Sequence, residues 1–125
     1  MENLPNVIKA YIAAYNAKDV PAMLACLSED VSFRNIAGGA VTAETSDRQG
    51  FAEMAEFGAS AFVTRHQQVT NAITVAETTL AEIAYTAVVA FDLPNGWKAG
   101  QEIALTGASL FRVENGKITA IVDQS

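Results

Sequence analysis

The stretch Glu82-Ile-Ala-Tyr-Thr-Ala-Val-Val-Ala-Phe-Asp92, continued after Leu93-Pro94-Asn95-Gly96 by Gln101-Glu-Ile-Ala-Leu-Thr-Gly-Ala-Ser-Leu-Phe-Arg-Val113, decides the fold. Side chains alternate between the two faces of a strand. One face of the first arm therefore carries Ile83, Tyr85, Ala87, Val89 and Phe91, and the other Ala84, Thr86, Val88 and Ala90. The second arm divides in the same way: Ile103, Leu105, Gly107, Ser109 and Phe111 lie against Ala104, Thr106, Ala108 and Leu110. The intervening Pro-Asn-Gly is a turn signal, so the two arms form a hairpin. A sheet wet on one side would carry Lys, Glu and Arg there, and neither face does. The bulky face is expected to meet the chain's own helices and the small face a second copy of the sheet.

Working outward, 125 residues make one domain, long enough to remove roughly two thirds of the unfolded surface from water. Fourteen acidic against eight scattered basic residues give a net charge of −6, which argues against nucleic acid and anionic membranes as partners. The apolar runs fall short of the ~18 residues a membrane helix needs. Met1-Glu2-Asn3-Leu4-Pro5 lacks the basic start of a secretory signal, so a cytoplasmic location is expected. Cys26 is the lone cysteine, within an apolar helical pattern, and reads as a buried structural thiol. With a single histidine and a single cysteine, no zinc site and no other cofactor is expected.

Leu4, Val7, Ile8, Tyr11, Ile12 and Tyr15 fall on one helical stripe, giving a first helix from about Pro5 to Ala17. Asp19 can cap a shorter second helix with Pro21 in its first turn. Val31 to Asn35 reads as a short strand, and Ile36 to Thr45, with Gly38-Gly39, as a loop or irregular hairpin. Ser46 with Gln49 makes a capping box for a third helix that turns Phe51, Met54, Phe57, Ala61 and Phe62 inward. From Val63 the period becomes two and stays so. Three helices followed by a four-strand meander is an α+β pattern, and it excludes alternating βαβ units. Neither GxGxxG nor GxxxxGK[ST] occurs.

Tyr11-Ile-Ala-Ala-Tyr-Asn-Ala-Lys-Asp19, Leu24 to Phe33, Thr64-Arg-His66 with Thr70-Asn71, and Leu110-Phe-Arg-Val-Glu-Asn-Gly-Lys-Ile-Thr-Ala-Ile-Val-Asp123 resemble the nuclear transport factor 2-like superfamily, particularly its polyketide-cyclase-like (SnoaL-like) branch. The resemblance implies a cystatin-like α+β barrel: a cone-shaped, curved antiparallel sheet wrapped around the N-terminal helices, hollow inside. It also implies a homodimer across the outer face, here Ala84, Thr86, Val88, Ala104, Thr106 and Ala108. This fold hosts many chemistries, so function must be argued from the site. A ketosteroid-isomerase-like site would keep Tyr11, but its base position falls on Asn35 and its acid position near Ser109. An amide cannot take a proton from carbon. A scytalone-dehydratase-like site would keep Tyr15 and His66 but has Asn16 and Asn35 where it needs an aspartate and a tyrosine, and its second histidine falls on an apolar residue near Ala90. A limonene-epoxide-hydrolase-like site lacks its Arg and Asp around Thr86 to Val88 and retains Asp123 alone. Polyketide cyclases of the branch carry an aspartate base on the last strand, which Asp123 matches.

The face of Asp123 depends on the turn Val113-Glu-Asn-Gly-Lys117. A two-residue Asn-Gly turn pairs Glu114 with Lys117, sets Asp123 opposite Ala108 and points it outward. A bulge at Gly116 sets it opposite Gly107 and points it inward, and the resemblance favours this second register. The expected catalytic pair is then Asp123 as base with His66 as its partner. The expected ligand wall is Tyr11, Tyr15, Phe33, Asn35, Met54, Phe57, Tyr85, Ser109 and Phe111. Trp97 reads as a dimer anchor in preference to a cavity lid. Glu44 and Asp47 read as loop and helix-terminus charges. The partner expected from this wall is a small apolar or carbonyl-bearing molecule. Two functions fit: a cofactor-free cyclase, isomerase or dehydratase, or a non-catalytic ligand-binding or structural dimer domain.

Overall fold

The computed structural model describes residues 4–125. Its elements run α1 (Asn6–Asn16), α2 (Val20–Ala25), β1 (Leu27–Ala37), β2 (Ala40–Thr45), α3 (Arg48–Ala61), β3 (Phe62–Val75), β4 (Thr78–Val89), β5 (Glu102–Glu114) and β6 (Lys117–Gln124). One sheet holds all six strands in the order β2-β1-β6-β5-β4-β3, antiparallel except where β1 runs parallel to β6. The four-strand meander is therefore β3 to β6, and the N-terminal hairpin of β1 and β2 extends it to six. The expected irregular hairpin is this pair, turned at Gly38 and Gly39, both with positive φ.

The helical stripe of α1 lies against the concave side of the sheet, burying Ile8, Tyr11, Ile12 and Ala14 with Phe51, Phe111, Ile118 and Ile121 in one core. Lys18, at φ 55, breaks the helix, and Asp19 then caps α2 by accepting from the Ala22 amide at 3.2 Å. The cap of α3 is Asp47, one residue beyond the expected Ser46, accepting from Gly50 at 2.7 Å. On α3 Phe51 and Ala55 are buried, but Phe57 is 55% exposed and packs on Phe91 at 6.1 Å between ring centroids. Six residues past Phe51 a helix has turned about 240° off the buried stripe, which corrects the inward placement of Phe57. Cys26 is buried, its thiol donating to the Ala22 carbonyl at 3.5 Å and pushed up in pKa by burial.

The two faces of the β4–β5 hairpin divide as the alternation requires. Ile83, Ala87, Val89, Ile103, Ser109 and Phe111 are buried on the concave side, while Thr86, Ala104 and Thr106 are exposed on the convex side and Ala84, Val88 and Ala108 are half-buried there. A ladder of apolar partners, Ile73–Leu80–Leu110–Val122, crosses four strands of the convex face. β3 is a sheet edge, and the end of α1 covers it. Asn16 pairs with the Gln67 backbone in both directions, Nδ2 donating to its carbonyl at 3.0 Å and Oδ1 accepting from its amide at 2.7 Å. Lys18 Nζ donates to the carbonyls of Phe62 and Val63 at 2.8 and 3.0 Å. Free strand groups are thereby satisfied instead of being left to pair with another chain.

Candidate active site

Asp123 sits near the end of β6, and two features of the preceding strand decide where it points. The turn itself is the two-residue one: Glu114 pairs with Lys117, and Asn115 and Gly116 both take positive φ (53 and 77). Taken alone it would send Asp123 outward. The register then shifts between Arg112 and Val113, because Thr119 is an extra residue in β6. Its hydroxyl lies 3.4 Å from the Arg112 carbonyl and 2.8 Å from Glu114 Oε2, stitching the bulge shut. Asp123 consequently lies opposite Ser109 and faces the concave side. The expected direction holds, but by a bulge at Thr119, and the partner is Ser109 in place of Gly107.

The row across the sheet at this level reads Ala81, Ser109, Asp123, Asn35, Ala43. Four of its members, Ser109, Asp123, Asn35 and Ala43, line a pocket of ≈ 380 Å³ between the sheet and α3. Ser109 donates to Asp123 Oδ1 at 2.6 Å. Burial raises the Asp123 pKa from its ordinary carboxylate value to about 6, and the Ser109 hydrogen bond limits the rise. Asn35 is fixed by donating its side-chain amide to Thr42 Oγ1 at 2.8 Å.

Further along the hairpin the wall is apolar, with Phe33, Met54, Ile83 and Leu105, and then aromatic and polar, with Tyr15, Tyr85, Phe62, Trp97 and Gln67. The Tyr15 hydroxyl donates to that of Tyr85 at 3.2 Å. Arg65 is 7% exposed; its guanidinium lies 3.7 Å from the Tyr15 ring centroid and its Nε donates to the Tyr15 carbonyl at 3.0 Å. Burial pushes the Tyr85 phenol far above its ordinary pKa, with Tyr15 adding to the rise and Arg65 opposing it. Trp97 packs on Phe62 at 6.4 Å between centroids and lines the pocket beside Asn95.

Of the expected wall, Tyr15, Phe33, Asn35, Met54, Tyr85 and Ser109 line the pocket. Tyr11 and Phe111 are buried behind it, packed edge to face at 6.0 Å. Burial, and then the charge of Asp123, drive the Tyr11 phenol well above its ordinary pKa. Phe57 lies outside the pocket, on the exposed side of α3. His66 is the principal correction: it is exposed, opposite Thr86 on the convex face, and makes no pair with Asp123. Its neighbours Arg65 and Gln67 point inward in its place. Plain alternation from Phe62 would place Thr64 and His66 inward, and the unpaired Val63 is what brings Arg65 and Gln67 to the pocket side.

The fold and the pocket together define a hollow α+β cone with an aspartate of the last strand turned into it. The SnoaL-like domain model matches residues 8–121, and the chain belongs to that family, within the nuclear transport factor 2-like superfamily. Candidate polyketide cyclases from Xanthomonas campestris pv. campestris and Pseudomonas putida are each 26% identical. The first covers 95% of this chain and 87% of its own at a TM-score of 0.73, the second 94% and 86% at 0.74. A protein of ketosteroid isomerase-like fold from Catenulispora acidiphila, solved in complex with trimethylamine, is similar in fold at 17% identity and a TM-score of 0.79, covering 97% of this chain and 85% of its own. No curated protein matches by sequence.

Proposed function

We propose that the protein is a cofactor-free proton-transfer enzyme of the cyclase or isomerase kind, with Asp123 as general base on a mostly apolar, carbonyl-bearing molecule. One observation carries this reading: the Asp123 carboxyl is turned into the pocket, tied to Ser109 at 2.6 Å through one oxygen only. Oδ2 makes no described hydrogen bond and is the oxygen that takes the proton. A base works best when its pKa lies near the working pH, and a value of about 6 leaves the carboxylate ionised at neutrality yet far more basic than an ordinary aspartate. The proton passes from the carbon beside the carbonyl to Oδ2, and the C–H electron pair moves onto the carbonyl oxygen as an enolate. The enolate can then add to a second carbonyl in a ring closure or be reprotonated elsewhere in an isomerisation. The likeness to candidate polyketide cyclases at 26% identity supports this class of chemistry.

Benzoylacetone in D2O supplies the test, since its acidic C–H exchange can be followed by NMR without knowing the natural substrate. The wild-type protein is expected to accelerate exchange, and Asp123→Asn to remove about 10²-fold or more of that acceleration. Equal exchange by the two proteins eliminates Asp123 as base. Retained binding of the diketone with no exchange by either leaves the pocket as a binding module.

A further inference from the structure

Ser109, Asp123 and Asn35 gather toward one end of the pocket and Tyr15, Tyr85 and Gln67 toward the other, and of these two groups only the first holds a carboxylate side chain. Ala81 pairs with Ser109 in the Asp123 row, whereas Tyr85, four residues further along β4, pairs with Gln67 and Leu105. At about 3.3 Å of rise per residue the two rows are about 13 Å apart along the strand, with Ile83 and Gly107 between them. The far end holds two phenols. Two hydroxyls carry two protons, but the pair shares one hydrogen bond, and among the described residues neither has a protein acceptor for the other proton. With Tyr15 donating to Tyr85, the unshared proton is that of Tyr85, on the pocket wall.

Arg65 polarises the pair. It is a buried guanidinium with no carboxylate within ion-pair distance among the described residues, and it is held against the Tyr15 ring by its bond to the Tyr15 carbonyl. A cation on that face draws electron density from the Tyr15 oxygen and strengthens its donation to Tyr85. A hydroxyl that accepts strongly also donates more strongly. Tyr85 stays protonated at any working pH, so it serves as a donor and never as a second base.

We propose that the end of the pocket remote from Asp123 is an acceptor-binding site, in which the Tyr85 hydroxyl, backed by Tyr15 and Arg65, receives a carbonyl or phenolate oxygen. The molecule that reaches both ends is an elongated, mostly apolar ring compound with a ring oxygen at one extremity and the acidic carbon near the other. Its length and second functional group rest on the reading of Asp123 as base; the donor site itself does not. Tyr85 touches the ligand, whereas Tyr15 and Arg65 are positioning residues.

The probes are 2-acetylnaphthalene and 2-ethylnaphthalene, matched in shape and differing in the carbonyl. Wild type is expected to bind the ketone roughly three- to tenfold more tightly than the hydrocarbon, the worth of one hydrogen bond. The bound ketone's infrared carbonyl band should also shift to lower frequency. Tyr85→Phe should erase both the preference and the shift while binding the hydrocarbon as before, which also reports that the pocket is intact. Tyr15→Phe should reduce the shift, and an unchanged band would overturn the relay. Asp123→Asn should keep the shift in full, so the donor site stands even if Asp123 fails the exchange test. A shift lost in Asp123→Asn and retained in Tyr85→Phe places the carbonyl at the wrong end and overturns the proposal. So does failure of wild type to bind the ketone.

Discussion

Strands β3 and β6 each carry one titratable residue that the sequence brings to notice, and each strand contains a one-residue bulge before it. In β6 the bulge is Thr119, and it turns Asp123 from the convex to the concave face. In β3 the bulge is Val63, between Phe62 opposite Val89 and Thr64 opposite Val88, and it does the reverse to His66. Phe62 points into the pocket; by plain alternation Thr64 and His66 would follow it inward. The extra residue sends them outward and brings Arg65 and Gln67 in. Each bulge is anchored by side chains from nearby: Thr119 by its own hydroxyl on Arg112 and Glu114, Val63 by the Lys18 ammonium on its carbonyl. Because a strand has period two, a single inserted residue decides which face every later side chain occupies. The chemistry of this pocket is therefore set by two insertions as much as by residue identity.

Adding a further residue to β6 is the most severe way to break that comparison. Deletion of Thr119 would leave Ala120 opposite Arg112 and Asp123 opposite Ser109, whereas one alanine inserted after Ala120 carries Ile121, 1% exposed, out of the core together with Asp123. Losing a fully buried isoleucine costs about 3 kcal/mol or more, so urea unfolding should show a loss of at least that size, with proton exchange on benzoylacetone gone. Unchanged stability would mean that the bulge widens to take up the added residue. Smaller, and opposite in sign, is the effect of neutralising the carboxylate. The Asp123 pKa of about 6 in the folded protein lies above its unfolded value near 3.8, so the folded state holds a proton that the unfolded state releases. Stability is full below about pH 4 and falls as pH rises through 6. The difference of roughly two units amounts to about 3 kcal/mol at most. Asp123→Asn should raise stability at pH 7.5 by about 1–3 kcal/mol and flatten the pH 4–7 profile in thermal or urea unfolding; a profile identical to wild type would mean the carboxyl is better solvated than its surroundings indicate.

How much of this could be read from residues alone follows from the same two strands. The α1 stripe, the hairpin faces and the Asn115-Gly116 turn obey fixed periods and were legible. Faces downstream of a bulge were not, since alternation keeps no record of an unpaired residue. A trace existed: Ile118 and Ile121, both fully buried, are three apart, a spacing that an uninterrupted strand cannot bury on one side. The length of β1 was hidden for another reason. Ser28-Glu29-Asp30 reads as the end of a helix, yet the strand begins at Leu27, whose partner Ile118 lies on β6, more than ninety residues away. Long-range parallel pairing of this kind leaves no local pattern. The polar end at Tyr85 was half visible: both tyrosines fall on the inner faces by period, whereas Arg65 lies beyond the unpaired Val63, where plain alternation puts it on the outer face.

The mildest test is also the one that most directly separates the two strands. His66 is exposed on the convex face opposite Thr86, so His66→Ala removes a solvated side chain from a sheet edge. Such changes fall within about 0.5 kcal/mol, and benzoylacetone exchange should keep both its rate and its pH dependence. Any imidazole within reach of Asp123 would alter both: its removal would shift the carboxyl's titration and slow exchange together. A slowing of exchange in His66→Ala that approached the loss in Asp123→Asn would require Thr64 and His66 to follow Phe62 inward. It would place the β3 insertion somewhere other than Val63 and dislodge Arg65 from the Tyr15 ring.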